Sequence, residues 1–326
     1  MHIITQSETE KFKSFLNSHE TFIIAGHKEP DGDCVASSLG TAELVKKLGK
    51  KAVIVNAGPF KRTELKKYER KFGQKVKNSL FNKNTALIIV DCSEIQRIGD
   101  IDEKLSTLDC FIIDHHKTAT ADTEKSIIDP TAPAAACIVQ QLFENIIGTP
   151  DAETAKTLFF GLATDTGFFR FLDSTGKESF EAASRLIGYG ANPRLTYDDI
   201  TGGKPWSTRK LLGVLLSKAE THFDGKLAIT VENIEDTRRY GQEGRDSDAL
   251  YQLLLSCASV QAVVFLREES EQTCTLGFRS RDAIDVSAVA SVFGGGGHKN
   301  AAGACTEGTP ETLLPRIISE FEKIFK

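Results

Sequence analysis

Apolar residues fall in short, almost unbroken runs along the first half of the chain: FIIAGH (22–27), AVIVN (52–56), ALIIVD (86–91) and CFIIDHH (110–116). Between and after them come stretches with helical spacing: VASSLGTAELVKKLG (35–49), AAACIVQQLFENII (134–147), DAETAKTLFFGLATDTG (151–167) and KESFEAASRLIGYG (177–190). EIQRIGDIDEKLSTL (94–108) reads as a short helical or irregular crossover. Strands without polar alternation, separated by helices, predict a parallel sheet covered on both faces, a doubly wound α/β domain. Residues 191–210 are rich in Gly, Pro and polar side chains and read as a linker between a first domain, 1–190, and a second, 211–326. The second half predicts a smaller α/β domain, with strands KLAITVE, QAVVFLRE and TCTLGFRS and helices RDSDALYQLLLSCA and PETLLPRIISEFEKIF.

A chain of 326 residues with 40% apolar and 26% charged residues suffices for two domains with real cores. Its net charge of −5 argues against a protein that coats long nucleic acid. Seven cysteines (34, 92, 110, 137, 257, 274 and 305) form no CxxC and read as buried, reduced thiols. The N-terminus lacks the basic and apolar regions of a signal peptide, and no apolar run matches a membrane span. A cytoplasmic protein with no membrane partner is expected.

What the strands need for packing does not explain what stands at their ends. His27, Asp31 and Asp33 follow the first run, Asp91 ends the third, Asp114, His115 and His116 end the fourth, and Asp165 lies in a later helix. The carboxyl ends of parallel strands are where ligands bind. Any one of these aspartates would ordinarily be a helix N-cap or a turn residue. Four separate segments carrying the same residue types point instead to a multi-metal site. Its oxygen and nitrogen donors suit Mn²⁺, or Mg²⁺ or Co²⁺, better than a closed structural zinc site. Two such cations about 3.5–4 Å apart serve phosphoryl chemistry. Cys34 and Cys92 lie beside the donors, and the oxygen-rich surroundings favour a packing role for both.

The order HxxxDxD, a strand ending in Asp, DHH and a later helical Asp resembles the DHH phosphoesterase superfamily. GFRSR (277–281) and GGGGHKNAAG (294–303) resemble its DHHA1 C-terminal domain. The chain is therefore similar to the two-domain nanoRNase/pAp phosphatase type, over nearly its whole length. The resemblance implies that His27 and Asp31 hold one metal and Asp33 the second, that Asp91 bridges both, that His115 ligates the second, and that Asp165 contacts one or both. His116 would face the scissile phosphate or leaving group, with Asp114 orienting the histidine pair. In the second domain it implies Arg279 and His298 as phosphate and nucleotide contacts, with Gly295, Gly296 and Gly297 offering backbone amides. Cys34 and Ala36 stand where the family usually has Ala and Gly, and both are small enough to keep the packing.

Read without the resemblance, four glycines before His298 and a helix-compatible KNAAGA (299–304) suggest an anion loop at a helix start. Phe168, Phe169 and Phe171 read as core more readily than as a base-stacking face, and Arg170 as a substrate contact or a salt bridge. The implied activity is hydrolysis of short RNA or dinucleotides such as pApA to 5′-mononucleotides, and of 3′-phosphoadenosine 5′-phosphate (pAp) to AMP, by a hydroxide that two cations activate. The first domain would hold the metals, the second would grip the far end of a short ligand, and a homodimer is compatible with the resemblance. A manganese inorganic pyrophosphatase shares the first-domain pattern but not GGGGH, and a non-catalytic nucleotide sensor would be expected to have lost ligands that are all present here.

Overall fold

The computed structural model describes residues 2–116, 123–242, 245–281 and 284–325. The chain divides into a first unit, 1–203, and a second, 204–326. Among the described residues no helix is long and apolar enough to cross a membrane.

In the first unit the elements run α1 (Gln6–Asn17), β1 (Thr21–Ala25), α2 (Gly32–Lys47), β2 (Lys51–Val55), α3 (Lys66–Glu69), β3 (Thr85–Val90), β4 (Asp109–Asp114), β5 (Ser126–Ile128), α4 (Ala135–Ile146), α5 (Ala152–Asp165), α6 (Lys177–Gly188) and α7 (Pro193–Thr201). The five strands form one parallel sheet in the order β2-β1-β3-β4-β5. Successive side chains of a strand face opposite ways. Phe22 and Ile24 of β1 accordingly join one core with Ile88 and Val90 of β3, while Ile23, Ala25, Leu87 and Ile89 join a second core on the other face. This is why those runs carry no polar alternation. Helices α1, α2, α4 and α5 contribute to the first core. The second is closed by 3₁₀ turns at Ile95–Ile98 and Glu103–Thr107, the crossover the sequence marks as irregular. In this strand order the chain reverses direction between β1 and β3, so a crevice opens at their carboxyl ends.

Two glycines let the helices close on that crevice. A Cβ on Gly32 would stand 2.2 Å from Thr164 Oγ1, and one on Gly161 would stand 2.6 Å from the Cβ of Ala36 and 2.8 Å from that of Ala136. Neither neighbour is a flexible side-chain end. Gly161→Ala is therefore expected to cost about 1–3 kcal/mol by overpacking the α2–α4–α5 junction, read as a lower urea midpoint with an unchanged slope.

Residues 191–210 contain more structure than a linker reading expects. Pro193 occupies the first turn of α7 and Asn192 caps it, accepting from the Leu195 amide. The residue that suggests a break is here a start signal. The boundary between the units falls at Gly203 and Lys204.

The second unit contains α8 (Trp206–Ser217), β6 (Glu220–His222), β7 (Leu227–Glu232), α9 (Ile234–Tyr240), α10 (Ser247–Leu255), β8 (Ala262–Ser270), β9 (Thr273–Ser280), α11 (Val286–Val292), β10 (Gly296–His298), β11 (Ala301–Glu307) and α12 (Pro310–Phe325). Its sheet order is β10-β11-β9-β8-β7-β6, antiparallel except for the β7–β8 pair. The segment after His298 is not a helix. KNAAGA enters β11, which pairs with β9 from Ala301 opposite Arg279 to Glu307 opposite Thr273. Cross-strand pairing overrides the helical preference of alanine, and the small side chains permit close packing: a Cβ on Gly295 would lie 2.1 Å from the Gly303 carbonyl oxygen. The glycine run thus leads into a hairpin.

Candidate active site

The end of β1, the start of α2, the end of β3 and the end of β4 bring His27, Asp31, Asp33, Asp91, His115 and His116 together, and the last residue of α5 adds Asp165. Asp31 is the N-cap of α2, accepting from the Cys34 amide at 3.0 Å. Its second oxygen stands 3.7 Å from His27 Nε2. Asp33 is 1% exposed and its carboxylate faces the N-terminus of α4, accepting from the amides of Ala135 at 2.6 Å and Ala136 at 2.8 Å. Ala134 gives that helix no side-chain cap, so a residue about a hundred positions earlier supplies it.

Asp91 is the hub. It is 2% exposed, has φ 59° and holds its backbone by donating to the Ile113 carbonyl at 2.9 Å. A non-glycine residue in the left-handed region is strained, and Asp is among the few that tolerate it. One carboxylate oxygen lies 3.4 Å from His27 Nε2, and the other lies 3.4 Å from His115 Nε2 and 3.9 Å from His116 Nδ1. His115 Nε2 also stands 3.5 Å from Asp165 and 3.8 Å from Asp33.

The outer atoms of the rings fix their orientation. His27 Nδ1 donates to the Lys28 carbonyl at 2.8 Å, and His115 Nδ1 to the Ala132 carbonyl at 3.1 Å, which leaves both Nε2 atoms turned to the carboxylates. Asn56, fully buried, donates to the His27 carbonyl at 3.0 Å and accepts from the Gly58 amide at 2.7 Å, pinning the loop. Asp114 is fully buried and one of its oxygens accepts from the amides of His115 and His116 and from His116 Nδ1, the last at 2.7 Å. The His116 side chain remains 36% exposed.

Electrostatics show what this cluster lacks. Burial pushes the Asp33 carboxyl well above the usual range, and the neighbouring charges of Asp91 and Asp165 add to it. Burial likewise raises Asp165 to about 6, against the pull of His115. Burial disfavours charged imidazole, yet contact with Asp31 and Asp91 raises His27 to about 10, and contact with Asp91, Asp33 and Asp165 raises His115 to about 10. Asp31, despite burial, is held below the carboxylate range by His27, the Cys34 amide and Arg62. The carboxylates recruit protons for want of other positive charge. Their separations from the imidazoles exceed ordinary hydrogen-bond lengths, and one oxygen of Asp91 and one of Asp114 have no hydrogen-bond partner. Buried carboxylate oxygens without hydrogen-bond partners, beside two imidazole Nε2 atoms that a cation would deprotonate, fit divalent cations. Among the described residues, donor atoms within 4.8 Å of one another form three overlapping groups, His27–Cys34–Asp91, Asp91–His115–His116 and Asp33–His115–Asp165. Asp91 and His115 are each shared by two. The Cys34 thiol packs on Gly26 with no exposure, and burial raises it well above its usual range, as the packing reading of this residue expects.

The phenylalanines after Asp165 divide. Gly167, Phe168 and Phe169 have φ of 55°, 56° and 69°. Phe168 meets Tyr197 edge-on at 5.1 Å and Phe169 stacks on Phe180 at 5.2 Å, so both pack against the first core. Phe171 is 70% exposed beneath the Arg170 guanidinium, and Arg170 donates to the Gly167 carbonyl rather than to a carboxylate.

In the second unit Arg279 and Gly296 line a concavity of about 390 Å³ together with Tyr251, Arg267, Thr275 and Gly303. The Arg279 guanidinium lies 4.6 Å over the Tyr251 ring. Gly277 is required beneath that tyrosine, since a Cβ there would stand 1.9 Å from its hydroxyl. His298 is exposed on β10 and is not among the lining residues, nor are Gly295 and Gly297. Gly294 and Gly297 take the positive φ, 76° and 147°, that the hairpin needs.

Residues 21–162 match the DHH family, N-terminal domain, and residues 226–326 match the DHHA1 domain. The chain belongs to the DHH family. It is similar to a bifunctional oligoribonuclease and PAP phosphatase of Thermus thermophilus, with 33% identity over 287 residues, 87% of this chain and 84% of the relative. A Bacillus subtilis protein of the same description is 22% identical over 95% of this chain and 96% of its own. Among solved structures, an exopolyphosphatase-related protein from Bacteroides fragilis superposes with a TM-score of 0.85 at 22% identity, over 100% of this chain and 99% of that one, which shows the fold. This DHH-family chain is thus a two-domain DHH/DHHA1 protein of the phosphoesterase class, with a candidate divalent-metal centre at the carboxyl edge of its first sheet. Sequence reading passed over Asn56 and Arg62. Nothing at Asn56 signals a role, but the basic stretch that begins near Arg62 is visible in the sequence.

Proposed function

We propose that the chain hydrolyses short oligoribonucleotides and dinucleotides such as pApA to 5′-mononucleotides, and pAp to AMP, in a metal-dependent reaction. The observation that carries this reading is the gathering of four carboxylates, Asp31, Asp33, Asp91 and Asp165, around two oriented imidazoles that Asp91 joins, with His116 partly exposed beside them. The Thermus relative supports the substrate class. His27, Asp31, Asp33, Asp91, His115 and Asp165 would hold two divalent cations, Mn²⁺ being the choice their mixed donors favour. Such cations polarise phosphoryl oxygens and activate water at neutral pH. His116 would give a proton to the leaving oxygen. Its Nδ1 is tied to Asp114, so the other ring nitrogen carries the exchange, and the buried carboxylate stabilises the ring while it is charged. In the second unit Arg279, backed by the Tyr251 ring, would offer a fixed cation to a substrate phosphate, and Gly296 close backbone approach beside it.

The test is a panel of pApA, pAp, RNA of two to seven nucleotides, cyclic di-AMP and pyrophosphate with Mn²⁺ or Mg²⁺. Release of AMP from pApA and pAp is expected. No turnover with either ion would overturn the proposal. Turnover of pyrophosphate alone would favour a manganese pyrophosphatase, and nucleotide binding without turnover a sensor.

A further inference from the structure

The segment after β2 carries a charge that the whole chain does not. Residues 61–77, KRTELKKYERKFGQKVK, hold eight lysines and arginines against two glutamates, in a chain of net charge −5. All eight cations are exposed. Between them, Leu65, Phe72 and Val76 are buried, and Leu65 and Phe72 join Phe60, Val35 and Phe160 in a small core of their own. The segment is therefore a fixed surface rather than a loose tail. Lys61, Lys66 and Lys67 pair with Glu29, Glu69 and Asp199. Arg70, Lys71, Lys75 and Lys77 have no carboxylate partner among the described residues.

A run of lysines on a folded protein is ordinarily a solvated face. Position separates this one from that case. The segment starts beside the metal-site loop, where the Glu29 amide donates to the Gly58 carbonyl at 3.0 Å and the charge of Arg62 reaches Asp31. It then returns to the sheet: Gly73 bridges Val55 at the carboxyl end of β2, on the side that β1 leaves free, with its amide donating to the Ile54 carbonyl at 2.9 Å and its carbonyl accepting from the Asn56 amide at 3.0 Å. Lys71 and Lys75 flank that bridge. Two strand spacings separate it from β1, roughly 10 Å, which a strand stacked as in a duplex, rising about 3.4 Å per nucleotide, crosses in about three nucleotides.

We infer that this basic segment is a binding track for the phosphodiester backbone of single-stranded RNA, engaging substrates of about four nucleotides or more and leaving pAp and dinucleotides untouched. The inference rests on the reading of the catalytic site given above and adds a length preference to it. Backbone phosphates are the ligand class because the track offers dispersed, exposed point charges, while of the segment's two aromatics Phe72 is buried and Tyr68 is already covered by Phe160 and by Lys67 and Lys71. Such a surface attracts charge without reading bases.

The test compares wild type with a Lys71→Gln/Lys75→Gln/Lys77→Gln variant, all three side chains being exposed and none of them a metal-site residue. Binding of a 3′-fluorescein RNA heptamer is measured by anisotropy in EDTA across a salt series, and steady-state kinetics with Mn²⁺ compare heptamer with pApA. Expected are a rise of about tenfold in heptamer KM at low salt with kcat unchanged, unchanged pApA kinetics, and a salt slope of log Kd shallower by about 2, the value for three phosphate contacts on a single strand. A heptamer Kd and salt slope that match wild type would overturn the track. A wild type that binds the heptamer through these lysines but hydrolyses nothing would support the track and overturn the catalytic reading. Vesicles with phosphatidylserine form a further arm: lysine-dependent vesicle binding with unchanged RNA affinity would overturn the track in favour of a lipid surface.

Discussion

Asp91→Asn is expected to lower turnover by at least about 10³-fold, the scale on which a single preorganised electrostatic element is lost, while the fold persists. Asp91 is the residue both histidines share, with 3.4 Å to His27 Nε2 from one oxygen and 3.4 Å to His115 Nε2 from the other. Asparagine keeps the shape and tolerates the φ of 59°, so the backbone hydrogen bond to Ile113 can remain. What disappears is the negative charge that would hold two cations in one place. A second readout separates this from general damage. Cations that bind only the folded state stabilise it, by about 2.7 kcal/mol at a hundredfold excess over Kd. Wild type should show a large Mn²⁺-dependent rise in melting temperature and the variant a small one, with the EDTA-treated proteins melting alike. Unchanged turnover, or an equal Mn²⁺-induced rise in the variant, would remove Asp91 from the centre of the site.

Cation affinity should climb steeply with pH between about 6.5 and 8.5, and binding should release protons. Without a cation His27 and His115 titrate near 10, well above free histidine, so at neutral pH both rings carry protons that a cation must displace. Each proton released multiplies affinity by about ten per pH unit, so two histidines give about a hundredfold. The metal-free fold behaves oppositely. A histidine raised in the folded state contributes stability that is complete below about 6.5 and is lost as pH rises through about 10. Asp165, raised to about 6, costs stability as pH climbs from the ordinary carboxylate range to that value. Asp31, lowered, stabilises above the ordinary carboxylate range and stops doing so as pH falls. The EDTA-treated protein should therefore melt lower at pH 9 than at pH 6.5, with the gap to the Mn²⁺-loaded protein widening. Titration calorimetry in two buffers of different ionisation heat counts the protons, and a pH-independent affinity with no proton release would contradict the assignment.

Much of this was legible in the residues. Three apolar runs ending in His or Asp marked the ends of β1, β3 and β4, because a strand buried on both faces has no other use for such groups, and a helical run brought Asp165 to the same sheet edge at the end of α5. Less was legible where tertiary pairing decides the outcome. The three-residue β5 is too short to leave a period. Alanine-rich KNAAGA favours a helix locally and became β11 because β9 offered it an edge. Pro193 and Gly202 looked like linker residues and instead bound a helix. The excess of lysine in 61–77 was countable but vanished in the net charge of the whole chain.

The double duty of Asp33 bears on how such a site could decay. Its carboxylate closes the start of α4 through Ala135 and Ala136 while facing His115. A descendant that abandoned hydrolysis and kept only a ligand-sensing task could shed His27 or Asp91 at little cost to its architecture, but shedding Asp33 would leave a buried helix end open. In such lineages the second aspartate of the first motif should outlast its neighbours, and its survival alone would say nothing about whether the protein still turns over substrate.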